Sequence, residues 1–189
     1  MLKRNEDLIL YHGSHCEVET PPLARCEKYK DFGQGFYLTT SGEQAESFSL
    51  TSLRKAIANR IASKNQKSGV VSVFRCKAED MAQLKICEFE TANIQWLHCV
   101  VGHRKGRGFE NIIEQYRLFD VIGGKIANDA TNAAITAYMA GVYGEVGSLR
   151  ASEFCIGLLL PERLKDQYCF RTQKALDALN FVESYQVWK

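Results

Sequence analysis

Four short stretches of this 189-residue chain carry side chains able to hold or activate a ligand. The first is YHGS, at Tyr11, His12, Gly13 and Ser14, which directly follows an apolar run. The second is GQGFYLTT, starting at Gly33. The third is Phe48, eleven residues after Tyr37, and the fourth is DQYCFRT, starting at Asp166. The glycine stretch lacks the Gly-Lys-Ser/Thr of a phosphate loop and the spacing of a dinucleotide fingerprint. Taken alone it reads as a turn feeding a strand, with Gly35 as the place where a ligand could approach the backbone. Strand alternation puts Phe36 and Leu38 on one face, suited to a core, and Tyr37 and Thr39 on the other, suited to a semi-polar cleft. A strand, turn and helix can bring Tyr37 and Phe48 together, and two facing rings can stack on a flat heterocycle. The alternatives are a core role for Phe48 and a satisfied structural role for His12. Three residues separate His12 from His15, but Gly13 disfavours the helix that a metal pair would need, so no metal is expected.

Taken together, YHGS and FGQGFYLTT followed by QAESF resemble the poly(ADP-ribose) polymerase and diphtheria-toxin branch of ADP-ribosyltransferases. That branch has His-Gly-Ser on its first strand, a glycine-flanked aromatic-Tyr strand and a later aromatic. KDFGQGFYLTT, FETANIQWLHCVVGHRKG, FDVIGGKIAND and DQYCFRTQKAL resemble, in order, a bacterial ADP-ribosyltransferase-like family often encoded beside antitoxin-like genes. The resemblance implies that NAD is a substrate. It implies that His12 bonds a ribose hydroxyl and that the backbone of Gly13 meets the nicotinamide amide, supported by Ser14. It also implies that Tyr37 and Phe48 sandwich the nicotinamide ring.

The same resemblance exposes a departure. A late-strand glutamate commonly holds the ribose 2′-hydroxyl, whereas DQYCFRT offers Gln167. Alternation puts Tyr168 and Phe170 on the face that Asp166 shares, and Gln167, Cys169 and Arg171 on the other. Gln167 is therefore the residue aimed at a cleft, unless it is a surface glutamine on an edge strand. It can donate and accept hydrogen bonds but cannot take a proton. The implied activity is NAD-dependent mono-ADP-ribosylation of a protein or nucleic acid, with His12, Tyr37 and Gln167 as catalytic residues. The implied setting is a bacterial toxin–antitoxin pair with an antitoxin protein as partner. The alternatives are an NAD glycohydrolase and a catalytically weak NAD-binding module that lacks the usual glutamate. An RNA 2′-phosphotransferase shares the fold type but fits Tyr37 and Phe48 less well.

These residues need elements to position them. Asp7 to His12 reads as a strand inside a sheet, with apolar residues on both faces. Ser41 reads as a helix N-cap with Gln44 as its capping-box partner, opening a helix from Gly42 to about Lys64. That helix carries Ala45, Phe48, Leu53, Ile57 and Ile61 on one apolar face. GVVSVFRC from Gly69 and QLKICEFE read as strands, TANIQWLHCVVGHRKG as a helix and FDVIGGKIAND as a strand ending in a turn. ATNAAITAYMAG reads as a helix closed by Gly141, with Asp129 as its N-cap. A helix from Leu149 to Leu160, the strand DQYCFRT, a short helix QKALDAL and the strand FVESYQV complete the order. Strands at both ends with helices between them predict an α+β domain spanning residues 1–189. The resemblance makes it an ADP-ribosyltransferase-like fold, with a central split mixed and antiparallel sheet and flanking helices.

Composition narrows the class. The net charge of +2 is too weak a bias to imply nucleic-acid or membrane binding. The basic run with Arg104, Lys105 and Arg107 reads as a solvated loop that could meet phosphates, an acidic partner or RNA. No apolar run approaches a membrane span or a secretory leader. The seven cysteines are odd in number and scattered, which fits reduced thiols and a cytoplasmic protein.

Overall fold

The computed structural model describes residues 2, 5–126, 129–159 and 165–188. The architecture is α+β, with seven strands in two sheets among the described residues. The first sheet has the order β1-β3-β7, with β1 at Leu8–Ser14, β3 at Ser68–Cys76 and β7 at Leu179–Trp188. All its pairings are antiparallel. The second has the order β2-β6-β5-β4, with β2 at Phe36–Leu38, β6 at Asp166–Phe170, β5 at Val121–Lys125 and β4 at Ile86–Glu88. Its β4–β5 pair is parallel and its other pairs are antiparallel. One bridge, Tyr11 to Thr39, joins β1 to the end of β2 through two backbone hydrogen bonds of 2.8 and 3.0 Å.

The two sheets enclose a core. Leu8, Leu10 and Phe74 of the first sheet and Phe36, Leu38, Tyr168 and Phe170 of the second belong to one buried cluster. Alternation sends the intervening residues outward. Helix α1, Gly42–Ala58, covers the other face of the first sheet, where Ala45 meets Val71 and Val73. Helices α3 (Ile94–Lys105), α5 (Asp129–Met139) and α6 (Leu149–Gly157) cover the other face of the second, around Trp96, Ile122, Ile135 and Cys169. Asn93 caps α3 by accepting from the Trp96 amide, and Gly106 closes it with φ +66°. Short helices α2 (Ala78–Ala82), α4 (Glu110–Gln115) and α7 (Gln173–Asp177) complete the set.

Several expectations need correction. Helix α1 stops at Ala58 rather than near Lys64, and Arg60 takes φ +60° in the turn that follows. Its buried stripe is Ala45, Ser49, Leu53 and Ala56, while Phe48 and Ile61 are exposed. Helices α2 and α4 fall in segments that gave no helical expectation, and α4 buries nothing. The predicted strand QLKICEFE shrinks to three residues. Strand β7 begins two residues before Phe181 and continues to Trp188. Asp129, expected as an N-cap, is instead the first residue of α5, and the next helix ends at Gly157 with Leu158 as its C-cap rather than running to Leu160. Among the described residues no helix is long and apolar enough to cross a membrane.

Candidate functional site

The sheets part just beyond the Tyr11–Thr39 bridge, and α1 starts beside the gap. The result is an open cleft of about 380 Å³, part of it continuous with solvent. His12, Gly13, Tyr37, Phe48 and Gln167 all line it. Ser14 does not, so the structure brings together every site residue expected from the sequence except that one.

Gly13 contributes through its backbone. Tyr11 uses both its N–H and its C=O on Thr39, and in an antiparallel strand the next residue to turn its peptide groups the same way is two places on. The Gly13 N–H and C=O therefore point off the edge of β1 into the split. The absence of a side chain there also answers a packing demand. A Cβ on Gly13 would stand 2.0 Å from the Ala45 carbonyl oxygen and 2.8 Å from the Ser49 nitrogen, inside α1. Gly13 lets the helix sit on the strand. Gly35 is likewise a packing glycine, since its Cβ would stand 2.5 Å from Cys169 Sγ.

The His12 ring stacks obliquely on Phe36, with centroids 4.3 Å apart. Its Nδ1 donates to the Tyr37 carbonyl oxygen at 2.8 Å, because a carbonyl can only accept. Burial pushes the imidazole below its ordinary pKa of 6.5, against the opposing pull of that bond. The neutral ring thus leaves Nε2 as an acceptor, with no protein partner among the described residues.

The Tyr37 ring is anchored at its far end. Its hydroxyl donates to the Gly33 carbonyl at 2.8 Å and accepts from the Phe32 amide at 2.9 Å. Burial holds the phenol well above its ordinary pKa, and the neighbouring Cys169 and Asp31 push the same way. Phe48 approaches from α1 with 48% of its surface exposed. It lies off the buried stripe of that helix, which frees it for the cleft. Tyr37 and Phe48 both line the cleft, and their rings are not stacked on one another.

Gln167 is 7% exposed, and its Nε2 donates to Asp31 Oδ2 at 2.7 Å. Arg104 grips the other oxygen, Oδ1, through Nε at 2.8 Å and Nη2 at 2.6 Å. The expected solvated Arg104 is therefore mostly buried. Its Nη1 donates to Asn132 Oδ1 at 2.7 Å, which ties this chain of contacts to α5. Asp166 turns away from the cleft and pairs with Lys125 at 2.9 Å. Gln44 does not complete a capping box. Ser41 Oγ accepts from the Gln44 amide, but the Gln44 side chain reaches across to the Asp166 carbonyl at 3.3 Å. Its Oε1 is buried at the cleft without a partner among the described residues.

A family model described as "Protein of unknown function (DUF3990)" matches residues 8–181, nearly the whole chain. The chain belongs to that DUF3990 family. No curated protein matches it. In this DUF3990 member, sequence reasoning missed Gln44 as a cleft residue, because three places after a Ser cap its polarity reads as helix capping. It also missed the link from Gln167 to Asp31, 136 residues apart. The only available signal was the acid beside the glycine strand.

Proposed function

We propose that this protein takes NAD as its substrate and transfers one ADP-ribosyl unit to a macromolecule, protein or nucleic acid, releasing nicotinamide. The supporting observation is that a bare peptide edge, two aromatic rings, a neutral imidazole and a buried amide meet in one cleft. A carboxamide offers one N–H donor and one C=O acceptor side by side, and the Gly13 edge offers their complement. The nicotinamide ring then slides between Tyr37 and Phe48, where flat aromatic faces stack. His12 Nε2 accepts from a hydroxyl of the attached ribose, and Gln167 holds the same sugar near its 2′-hydroxyl. In this reading the two sheets joined at one bridge are the split sheet of an ADP-ribosyltransferase-like fold.

The chemistry follows from that placement. The bond from ribose C1′ to the nicotinamide nitrogen breaks, and its electron pair leaves with nicotinamide, neutralising the pyridinium. The sugar becomes cation-like, and the acceptor's nucleophile forms the new bond at C1′ while its proton goes to solvent. Losing a general base costs about 10²- to 10⁴-fold in rate. Positioning alone still supplies a large share of the acceleration. An amide where an acid would help favours single-unit transfer over chain growth. It also favours the second reading, a weakly catalytic NAD-binding module. The setting we infer is cytoplasmic, as the toxin of a bacterial pair restrained by an antitoxin protein.

The test incubates purified protein with NAD labelled in the adenylate half and a cell lysate. Label on a macromolecule, removed with the Tyr37→Ala variant, supports transfer. Free ADP-ribose alone makes the protein a glycohydrolase. NAD binding without nicotinamide release leaves the binding module, and no binding rejects the reading.

A further inference from the structure

We propose that Asp31, clamped by Arg104, is a positioning residue that fixes the Gln167 side-chain amide so that its oxygen faces the cleft. The inference rests on the NAD reading above for its ligand, but its geometry stands on the protein alone. A carboxylate has no proton to donate, so the Gln167 atom 2.7 Å from Asp31 Oδ2 must be Nε2. That assignment leaves Oε1 for the cleft, and Oε1 has no partner among the described residues. Without Asp31 the amide could turn over and present a donor instead. Arg104 keeps the carboxylate from turning by binding Oδ1 with two nitrogens, at 2.8 and 2.6 Å. The loop carrying Asp31 is held in turn by the Tyr37 hydroxyl, which bonds both Phe32 and Gly33. One aromatic ring and one acceptor oxygen are thus mounted on a single loop.

The arrangement explains how a glutamine serves at a position that faces a sugar hydroxyl. The acceptor atom stands at the cleft, and the negative charge sits one hydrogen bond behind it, balanced by Arg104. A glutamate in place of Gln167 would press a second carboxylate against Asp31, where one of the two must hold a proton or move away. The amide and the acid are interchangeable only as a pair. With Asp31→Asn and Gln167→Glu together, the new amide keeps its oxygen on Arg104 and donates its N–H to the new carboxylate. The same three groups are then satisfied with the polarity reversed.

The test is the four-member cycle of wild type, Asp31→Asn, Gln167→Glu and the double variant. It is read by melting temperature without ligand, by NAD dissociation constant and by the rate of nicotinamide release. Both single variants melt lower than wild type, and the double variant recovers most of that loss. Each single variant loses at least about tenfold in turnover, with a much smaller change in NAD affinity. The double variant turns over at least as fast as wild type. Additive losses in melting temperature overturn the pairing. Coupled melting with unchanged turnover in every variant overturns the positioning role. A wild type that neither binds nor cleaves NAD fails the earlier reading instead. The amide clamp is then judged on melting alone, with recovery upholding it and additivity overturning it.

Discussion

Replacing Tyr37 with phenylalanine removes one oxygen and keeps the ring. That oxygen makes two bonds to the loop ahead of β2, accepting from the Phe32 amide and donating to the Gly33 carbonyl. A typical hydrogen bond contributes about 1 kcal/mol net, and leaving a buried partner unsatisfied costs about 1–3 kcal/mol. Two partly buried backbone groups are orphaned here, so the expected loss is about 2–3 kcal/mol. For a chain of this size each kcal/mol moves the melting temperature by about 2–4 °C, giving a fall of about 4–12 °C. The assay is reversible thermal unfolding followed by circular dichroism. NAD titrations separate the ring from the hydroxyl. Tyr37→Phe keeps the stacking face and should lose less NAD affinity than Tyr37→Ala. Melting of Tyr37→Phe at the wild-type temperature would refute the anchored loop. Equal affinity losses for the two variants would refute the ring as the contact.

Phe48→Ala should leave stability nearly unchanged, because an exposed ring off the buried stripe supports little packing, while NAD affinity falls about tenfold through lost stacking. Equilibrium unfolding and calorimetric titration check the two halves. Gly13→Ala should destabilise by about 1–3 kcal/mol or more, because its Cβ meets the Ala45 carbonyl oxygen at 2.0 Å, and chemical denaturation measures the loss. The pH dependence follows from His12, whose native pKa lies below its ordinary value of 6.5 because of burial. Its stabilising contribution is complete above that ordinary value and is lost as pH falls through the lower native one. His98 and His103 shift the same way through burial, so His12→Gln should flatten only part of the acid-side loss in a melting-temperature series.

The strands and helices that carry the cleft were legible because each obeys a local period. Tyr37 alternates with Phe36 and Leu38, and the observed clusters put those two neighbours in the core between the sheets. Gln167 alternates with Tyr168 in the same way, so its face could be read before its partners were known. The apolar spacing that Ile57 and Ile61 continue predicts a longer α1 than the chain forms. The chain nevertheless turns at Asn59 and Arg60, leaving Ile61 at the surface. Helices α2 and α4 are too short to show a helical period. The contacts that define the site were not legible, because they join distant segments through polar atoms. Nothing in a linear pattern tells Arg104 from the solvated Lys105 beside it, yet one grips Asp31 while the other lies 5.7 Å over the Phe109 ring. The packing demand on Gly13 was hidden for the same reason, since α1 approaches it from 32 residues down the chain.

The proposed NAD site seats the nicotinamide ring where the two sheets part. A ¹⁵N-resolved NMR titration of the assigned protein with NAD tests it directly. The Gly13 backbone amide and the Gln167 side-chain amide should shift most, with Tyr37 and Phe48 following. Saturable shifts confined to another surface, or none at millimolar NAD, would contradict it.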